Sequence, residues 1–214
     1  MRSAIRKPNR QENNETSITI DESKKLPREF YVRPTLTVAR EVLGKIFVRR
    51  IGKITLAGRI VEVEAYHQDG DASSHSSRGK TQRNEVMFRQ GGFLYVYFTY
   101  GMHFCMNIAT EGEGVGAAVL LRGIEPLLGW EVMRKNRGDH ISLHNLTNGP
   151  AKCTQAFQIA RRENGVDLCG ENIFLLDAPR IAEEHVLRTE RIGIRASTDL
   201  KWRFFVKGNA WVSK

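Results

Sequence analysis

The sequence predicts an α+β fold: one domain with a mostly antiparallel or mixed, curved β-sheet and peripheral helices. Three observations favour this class. Segments with strand-like alternation outnumber segments with helical periodicity along the 214 residues. Strands and helices do not alternate regularly, as a parallel α/β sheet would require. Two alternating apolar segments also flank Tyr100 and Gly101, a pattern that predicts a protruding β-hairpin.

The first residues differ in composition from the rest of the chain. Residues 1–27 are mostly polar with little apolar periodicity, and they predict a flexible leader ahead of a single domain over residues 28–214. The first ordered element is then predicted to be a helix that is capped by Thr37 and ends at Gly44. Its apolar face comprises Val38, Ala39, Val42 and Leu43.

The middle of the chain is dominated by strand patterns. Strands are predicted at 45–50 and 55–66, followed by a long loop over 67–83 that is rich in Gly, Ser, Asp and His. The predicted hairpin covers 93–109, and a further strand covers 117–122.

The last third mixes two helices with short strands. Pro126 predicts a helix through about Arg137, and the NGP sequence at 148–150 predicts the start of another. Short strands are predicted at 173–176, 191–196, 203–206 and 210–212.

The composition favours an anionic partner and gives no support for a metal site. Thirty-three Lys and Arg against 24 Asp and Glu leave a net charge of +9. This charge suits nucleic acid, although a solvated basic surface explains it equally well. The three cysteines, at 105, 153 and 169, form no CxxC pair, and the His residues do not cluster. The longest apolar runs fall below the roughly 18 residues of a membrane span.

Two glutamates stand out in the segment IVEVEAYH at 60–67. Glu62 and Glu64 lie on one side of a predicted strand, one pleat repeat (about 7 Å) apart. Two carboxylates in a cleft can break a glycosidic bond, since one stabilises an oxocarbenium-like centre while the other handles protons. Glutamate in a strand is, however, usually a surface residue. Spacing alone therefore leaves both interpretations open.

Aromatic residues accompany these carboxylates. Tyr95 and Tyr97 share one face of the hairpin, while Tyr66 and His75 lie on and after the carboxylate strand. Aromatic faces can stack on a planar base, although cross-strand aromatic packing gives the same pattern. Tyr100 lies at the predicted hairpin tip, where a side chain either wedges between stacked bases or folds back over its own hairpin.

These residues lie in long motifs that resemble the alkyladenine DNA glycosylase family, also called the mammalian-type 3-methyladenine DNA glycosylases. The resemblance covers nearly the whole chain from about Leu26. Its motifs are GRIVEVEAYH (58–67), TQRNEVMF (81–88), LYVYFTYGMHFCMN (94–107), VLLRGIEP (119–126), NGPAKCTQA (148–156), RIGI (191–194) and RFFVKGNAWVS (203–213). Gln82 stands where the family often has proline, a departure that can alter the loop carrying His75 and hence the lesion preference.

The resemblance implies catalytic roles for three residues. Glu64 is expected to activate the hydrolytic water, while Arg122 and the backbone carbonyl of Ile192 hold that water. Glu62 matches no catalytic residue of the family and is expected to be a structural or ion-pair partner.

The resemblance also implies a base pocket and a wedge. Tyr66, His75 and Tyr97 are expected to form the pocket walls. Asn107 is expected at the pocket floor, where it disfavours the exocyclic amino group of guanine. Tyr100 is expected to insert into the gap that a flipped base leaves in the duplex, so the hairpin as a whole is expected to insert into DNA.

By this resemblance the protein is expected to be a monofunctional DNA glycosylase of base-excision repair. Its partner would be double-stranded DNA containing 3-methyladenine, 7-methylguanine, hypoxanthine or ethenoadenine, and the damaged base would be flipped out before its N-glycosidic bond is hydrolysed. No cofactor, metal or membrane is expected, and the protein is expected to be a monomer. The expected location is the cytoplasm, at the nucleoid, for a bacterial protein and the nucleus for a eukaryotic one.

Two other functions use the same features. A non-enzymatic nucleic-acid-binding module would use the basic surface and the stacking tyrosines, and its binding would be salt-sensitive without base release. A sugar-polymer hydrolase would require both Glu62 and Glu64.

Overall fold

The computed structural model describes residues 19–213, in which eight strands form one sheet and every strand pair is antiparallel. The strands are β1 (Ile46–Ile51), β2 (Ile54–His67), β3 (Leu94–Thr99), β4 (His103–Ala109), β5 (Ala117–Leu128), β6 (Ile173–Leu176), β7 (Val186–Thr189) and β8 (Arg203–Val206). Their order is β3-β4-β5-β2-β1-β6, with β8 paired to both β2 and β7. The predicted α+β class is confirmed.

Four α-helices lie beside this sheet in the described part of the chain: α1 (Arg28–Tyr31), α2 (Thr35–Val42), α3 (Trp130–Arg137) and α4 (Pro150–Ala156). Helix α2 packs against β2 and β5, α4 packs against β4 and β5, and α3 packs on α4. These contacts bury one apolar core, in which the rings of Phe47 and Phe157 meet edge to face with centroids 5.2 Å apart. Within residues 19–213, no helix has the length and apolar character needed to cross a membrane.

Strand β2 carries both glutamates, and its two edges pair with different strands. One edge pairs with β5 over most of the strand. The other edge pairs with β1 at residues 54–59 and then with β8 at residues 62–64. The register to β5 also shifts on both sides of Glu62, which lies opposite Gly123. A bulge of this kind bends a strand locally, and here it lies in the segment that carries both glutamates.

The hairpin predicted over 93–109 is formed by β3 and β4, and its turn contains Tyr100 and Gly101. The backbone φ angles of these two residues are 50° and 68°. Positive φ at both central residues matches the twist of the flanking strands. It is uncommon for a bulky side chain, so the turn holds Tyr100 in a strained conformation while 83% of its surface is exposed.

Two predicted helix starts are displaced. Helix α2 begins at Thr35, directly after Pro34, and so precedes the cap predicted at Thr37. The helix predicted from Pro126 is wrong in its first turn, because β5 continues to Leu128 and the helix follows at 130–137. A proline is tolerated in this strand because the pairing between β5 and β2 is irregular beside it.

Two predicted strands are absent from the described residues. Residues 191–196 and 210–212 form bends and turns, while β7 had no predicted counterpart. The physical reason is that side chains and local turns satisfy the backbone groups of both segments instead of a strand ladder. The N–H of Ile192 bonds to the Glu64 carboxylate, and the N–H groups of Trp211 and Val212 bond to the side chain and the carbonyl of Asn209.

The predicted leader is only partly described. Residues 1–18 lie outside the described residues, as does residue 214. Glu22–Lys24 forms a 3-10 turn, Lys25 bridges to Leu176, and Leu26 is buried in the core. Leu26, in the predicted leader, thus packs against the rest of the chain, while the domain boundary predicted between residues 27 and 28 stays a prediction.

Candidate active site

A cavity of about 380 Å³ opens over the sheet where β2, β5, β4 and β3 lie side by side. The register places Glu64, Leu120, Asn107 and Tyr95 directly opposite one another, one from each strand. Directly opposed residues of an antiparallel sheet point to the same face. Leu120, Asn107 and Tyr95 line the cavity, and Glu64 lies at the end of their row.

Every residue predicted for the site lies at this cavity or in direct contact with it. The residues that line it are Tyr66, His75, Tyr97, Tyr100, Asn107, Arg122 and Ile192. Glu64 has no exposed surface and lies behind three of them. The structure thus brings together segments that are far apart in the sequence.

The Glu64 carboxylate accepts hydrogen bonds from three lining residues. Oε1 accepts the backbone N–H of Ile192 at 2.7 Å. Oε2 accepts the hydroxyl of Tyr66 at 2.8 Å and Nη1 of Arg122 at 3.2 Å. All three partners donate, as an ionised carboxylate requires. The backbone N–H of Ile192, and not its carbonyl, meets the carboxylate; the expected contact between that carbonyl and water stays a prediction.

Glu62 differs from Glu64 in what surrounds it, although both are fully buried. Oε1 accepts Nε of Arg203 at 2.7 Å and Nε of Arg122 at 3.3 Å, and it also accepts the hydroxyl of Ser213 at 2.8 Å. Oε2 accepts the backbone N–H of Ser213 at 2.6 Å. The ion-pair role expected for Glu62 is confirmed. Glu62 contacts one cavity-lining residue, Arg122, whereas Glu64 contacts three, so the two carboxylates do not form the symmetric pair that a sugar-polymer hydrolase needs.

Burial and charge fix the protonation of the groups around Glu64. Burial, together with the negative charge of Glu64, raises the pKa of Tyr66 far above its usual range, so this hydroxyl keeps its proton. Burial acts to lower the pKa of Arg122, but the charges of Glu64 and Glu62 outweigh it and raise that pKa. The carboxylate therefore faces one permanent cation and one neutral donor.

The aromatic walls are packed against one another. The rings of His75 and Tyr97 meet edge to face, with centroids 4.5 Å apart, and the rings of Tyr95 and Tyr97 are tilted by 32° at 5.5 Å. His75 Nδ1 lies 3.0 Å from the hydroxyl of Tyr95. Buried Asn84 donates to the carbonyl of His75 at 2.8 Å and so holds the long loop at this point. These contacts give the cavity preformed aromatic surfaces.

A buried ion pair supports Tyr66 from behind. Arg191 donates to both carboxylate oxygens of Asp71 at 2.6 Å, and both side chains are fully buried. The Arg191 guanidinium also lies 4.5 Å from the centroid of the Tyr66 ring, within cation–π range. The pair joins the long loop to the segment that carries Ile192 and fixes the Tyr66 ring between them.

The hairpin tip projects apolar side chains beside the cavity. Tyr100 is 83% exposed, Met102 71% and Phe98 40%. Tyr100 also lines the cavity. Exposed apolar groups clustered at a tip are unfavourable in water unless a partner covers them.

Sequence reasoning missed several lining residues and the support behind them. Cys105 and Leu120 line the cavity and were not predicted. Strand alternation could have found Cys105, because it shares a face of β4 with Asn107. The same alternation relates Leu120 to Arg122 on β5. No local pattern indicates the Arg191–Asp71 pair, since it depends on long-range packing. Within residues 19–213, no three His, Cys, Asp or Glu side chains group as a metal site.

Comparisons with known proteins define the class of this one. The chain matches the model of the methylpurine-DNA glycosylase (MPG) family over residues 29–210. It is 47% identical over 190 residues to a protein of Carboxydothermus hydrogenoformans, covering 88% of this chain and 98% of that protein. It is 47% identical over 188 residues to a protein of Prosthecochloris aestuarii, covering 87% and 90%, and 44% identical over 192 residues to one of Methanoculleus marisnigri, covering 88% and 98%. All three relatives carry the name "Putative 3-methyladenine DNA glycosylase".

The protein is therefore a DNA glycosylase, a DNA-repair hydrolase that acts on N-glycosyl bonds. More particularly, the chain belongs to the methylpurine-DNA glycosylase family. The resemblance inferred from the sequence motifs is confirmed. The sugar-polymer alternative does not fit this family.

We expect His75 to titrate below the ordinary imidazole range of about 6.5. His75 keeps exposed surface, but its partial desolvation against the cavity wall lowers its pKa, and the nearby positive charge of Arg83 lowers it further. This shift favours the neutral ring over the charged ring near pH 7. An NMR pH titration of the ring should give a midpoint below 6.5 in the wild type and a higher one in Arg83→Gln.

The matched control is Arg78→Gln, which removes an exposed arginine of the same loop that does not contribute to the His75 shift. This variant should leave the His75 midpoint unchanged. A wild-type midpoint at or above 6.5, or equal shifts in both variants, would contradict the account.

Proposed function

We propose that this protein flips damaged purines out of duplex DNA and hydrolyses their N-glycosidic bond with a water that Glu64 activates. The substrates proposed are 3-methyladenine, 7-methylguanine, hypoxanthine and ethenoadenine, and the product is an abasic site in an intact strand. One observation carries the proposal: a buried carboxylate–arginine pair, Glu64 with Arg122, lies directly behind an aromatic cavity beside an exposed tyrosine. The predicted monomer and cellular location stay predictions.

The cavity suits a planar base. Its volume of about 380 Å³ lies at the lower end of the usual range for small-molecule sites, about 300–1,000 Å³. Tyr66, His75 and Tyr97 offer aromatic faces and edges, and stacking on aromatic side chains is worth about 1–3 kcal/mol per base. A purine alkylated at N3 or N7 is cationic, and electron-rich rings favour such a cation. Asn107 at the floor would meet the exocyclic amino group of an undamaged guanine.

The water has to reach Glu64 by replacing one of its present contacts, because the carboxylate has no exposed surface. The longest of these contacts is the one between Oε2 and Arg122 Nη1, at 3.2 Å. A water placed there would accept from the arginine and donate to the carboxylate. Its oxygen would then point into the cavity that holds the nucleotide.

Cleavage of the C1′–N bond would depend on the negative charge of Glu64 near the sugar. As the C1′–N bond breaks, its electron pair leaves with the base and positive charge develops on the sugar. The Glu64 carboxylate stabilises that charge and takes a proton from water as the water oxygen bonds to C1′. A cationic base leaves as a neutral molecule, so alkylated purines need no further proton. A neutral base such as hypoxanthine needs one before it departs.

The hairpin tip supplies the second half of the mechanism. A base inside duplex DNA is inaccessible, and damaged or weakly paired bases cost least to extrude. Tyr100 is exposed and lines the cavity, and it would fill the gap that the extruded nucleotide leaves. The extruded base would then bind in the cavity while Tyr100 occupies the gap that it leaves in the duplex.

Replacing Glu64 with glutamine should slow single-turnover base release from alkylated duplex DNA by about 10²- to 10⁴-fold, the usual contribution of a general base. The amide keeps the shape of the side chain but cannot accept a proton from water. Affinity for lesion DNA, measured by fluorescence anisotropy, should stay near the wild-type value.

The matched control is Glu163→Gln, which alters another buried, arginine-paired glutamate that does not line the cavity. We expect this variant to lose thermal stability and to keep its rate of base release. Wild-type release by Glu64→Gln would refute the assignment of the base. Salt-sensitive lesion binding without abasic sites in the wild type would instead favour the non-enzymatic module.

Replacing Tyr100 with alanine should weaken binding to lesion DNA by about 1–3 kcal/mol, the contribution of one stacked ring. A fluorescent lesion base should also show a smaller unstacking signal at saturation. Tyr100→Phe should retain most of both effects, because it keeps the ring. Leu187→Ala removes an exposed apolar side chain on β7 and should change neither. The wedge role fails if Tyr100→Ala also leaves affinity and fluorescence unchanged.

A further inference from the structure

The segment 209–213 contacts both members of the Glu62–Arg122 pair. Ser213 donates its backbone N–H to Glu62 Oε2 at 2.6 Å and its hydroxyl to Glu62 Oε1 at 2.8 Å. The same hydroxyl oxygen accepts Nη2 of Arg122 at 3.3 Å. Ser213 is buried, with 9% of its surface exposed. One serine therefore bonds both members of a buried ion pair.

Each nitrogen of the Arg122 guanidinium has a different partner. Nε donates to Glu62 at 3.3 Å, Nη1 to Glu64 at 3.2 Å and Nη2 to Ser213 at 3.3 Å. The guanidinium is planar, and its donors form a rigid fork. Fixing Nε and Nη2 therefore fixes the direction of Nη1. Glu62 and Ser213 together aim Nη1 at Glu64.

The segment that carries Ser213 is itself fitted to β5. A Cβ on Gly123 would lie 2.5 Å from the carbonyl oxygen of Trp211, so glycine allows the close approach of the two backbones. Asn209 donates to Glu125 at 3.3 Å and accepts the backbone N–H of Trp211 at 2.9 Å. These contacts seat the segment beside the bulge in β2 that contains Glu62.

We propose that Ser213 is a positioning residue for base hydrolysis, which acts by orienting the Arg122 guanidinium toward Glu64 and its water. The inference rests on the proposed function and adds a residue to it. Without the hydroxyl, Nη2 loses its acceptor and Glu62 loses one donor, so the guanidinium can tilt in its plane. The contact that admits the water then loses its fixed geometry, although no substrate contact is removed.

The kinetic test compares single-turnover base release and DNA affinity for Ser213→Ala, Ser213→Thr and Asn209→Ala. Ser213→Ala should slow release by about tenfold, as expected for one charge-assisted hydrogen bond, with unchanged DNA affinity. Ser213→Thr keeps the hydroxyl and should restore the rate to within about twofold of wild type. Asn209→Ala removes the contact to Glu125, while the two bonds from Ser213 to Glu62 keep Ser213 in place, so it should lower thermal stability and keep the rate. Ser213→Cys, which keeps the volume and weakens the hydrogen bonds, replaces the alanine variant if that protein does not fold.

A second measurement needs no catalysis and separates this inference from the proposed function. The ¹⁵N-detected guanidinium signals of Arg122, assigned by their loss in Arg122→Lys, should show hindered rotation in the wild type and faster rotation in Ser213→Ala. If the wild type releases no base, the proposed function fails, and these signals still decide the orientation of Arg122. Unchanged signals, an unchanged rate in Ser213→Ala, an equal slowing in Asn209→Ala or no rescue by threonine would each overturn the proposal.

Discussion

The site depends on one buried interaction: the Arg122 guanidinium lies between two carboxylates that have no exposed surface. Burying a charge costs several kcal/mol unless it is paired and hydrogen-bonded. Much of the surrounding structure meets that requirement. Arg203 and Ser213 complete the partners of Glu62, while Tyr66 and the backbone of Ile192 complete those of Glu64. The segment 191–196, which was expected to be a strand, is irregular for this reason.

The sheet holds this charge cluster next to the cavity. Strand β2 changes its neighbour from β1 to β8 at the point where the glutamates lie, so each edge of that segment is covered. On the other edge, the register through β5, β4 and β3 aligns Glu64 with the cavity floor. The hairpin that supplies part of this floor also ends in Tyr100. The proposed catalytic carboxylate, base pocket and wedge are therefore held by one continuous set of hydrogen-bonded strands.

Local periodicity was sufficient to predict β2, the hairpin and the shared face of Tyr95 and Tyr97, because period-two alternation survives in strands with one lined face. It could not separate Glu62 from Glu64, since their difference lies in partners from distant segments. Arg122 and Ile192 also come from segments distant from Glu64, so they were predicted from the family resemblance and not from periodicity. Pro126 misled the prediction because a bulge accommodates it in β5. Ser213 and the Arg191–Asp71 pair depend on tertiary contacts that no local pattern encodes.

The central claim is that a water, and no protein nucleophile, breaks the bond between a damaged purine and its sugar. The most direct measurement is the product balance on alkylated duplex DNA incubated with the wild-type protein, with and without borohydride. The account predicts one free methylpurine for each abasic site, an unbroken strand, and no covalent protein–DNA adduct in either condition. A borohydride-trapped adduct, strand breaks that accompany base release, or the absence of free methylpurine would contradict it.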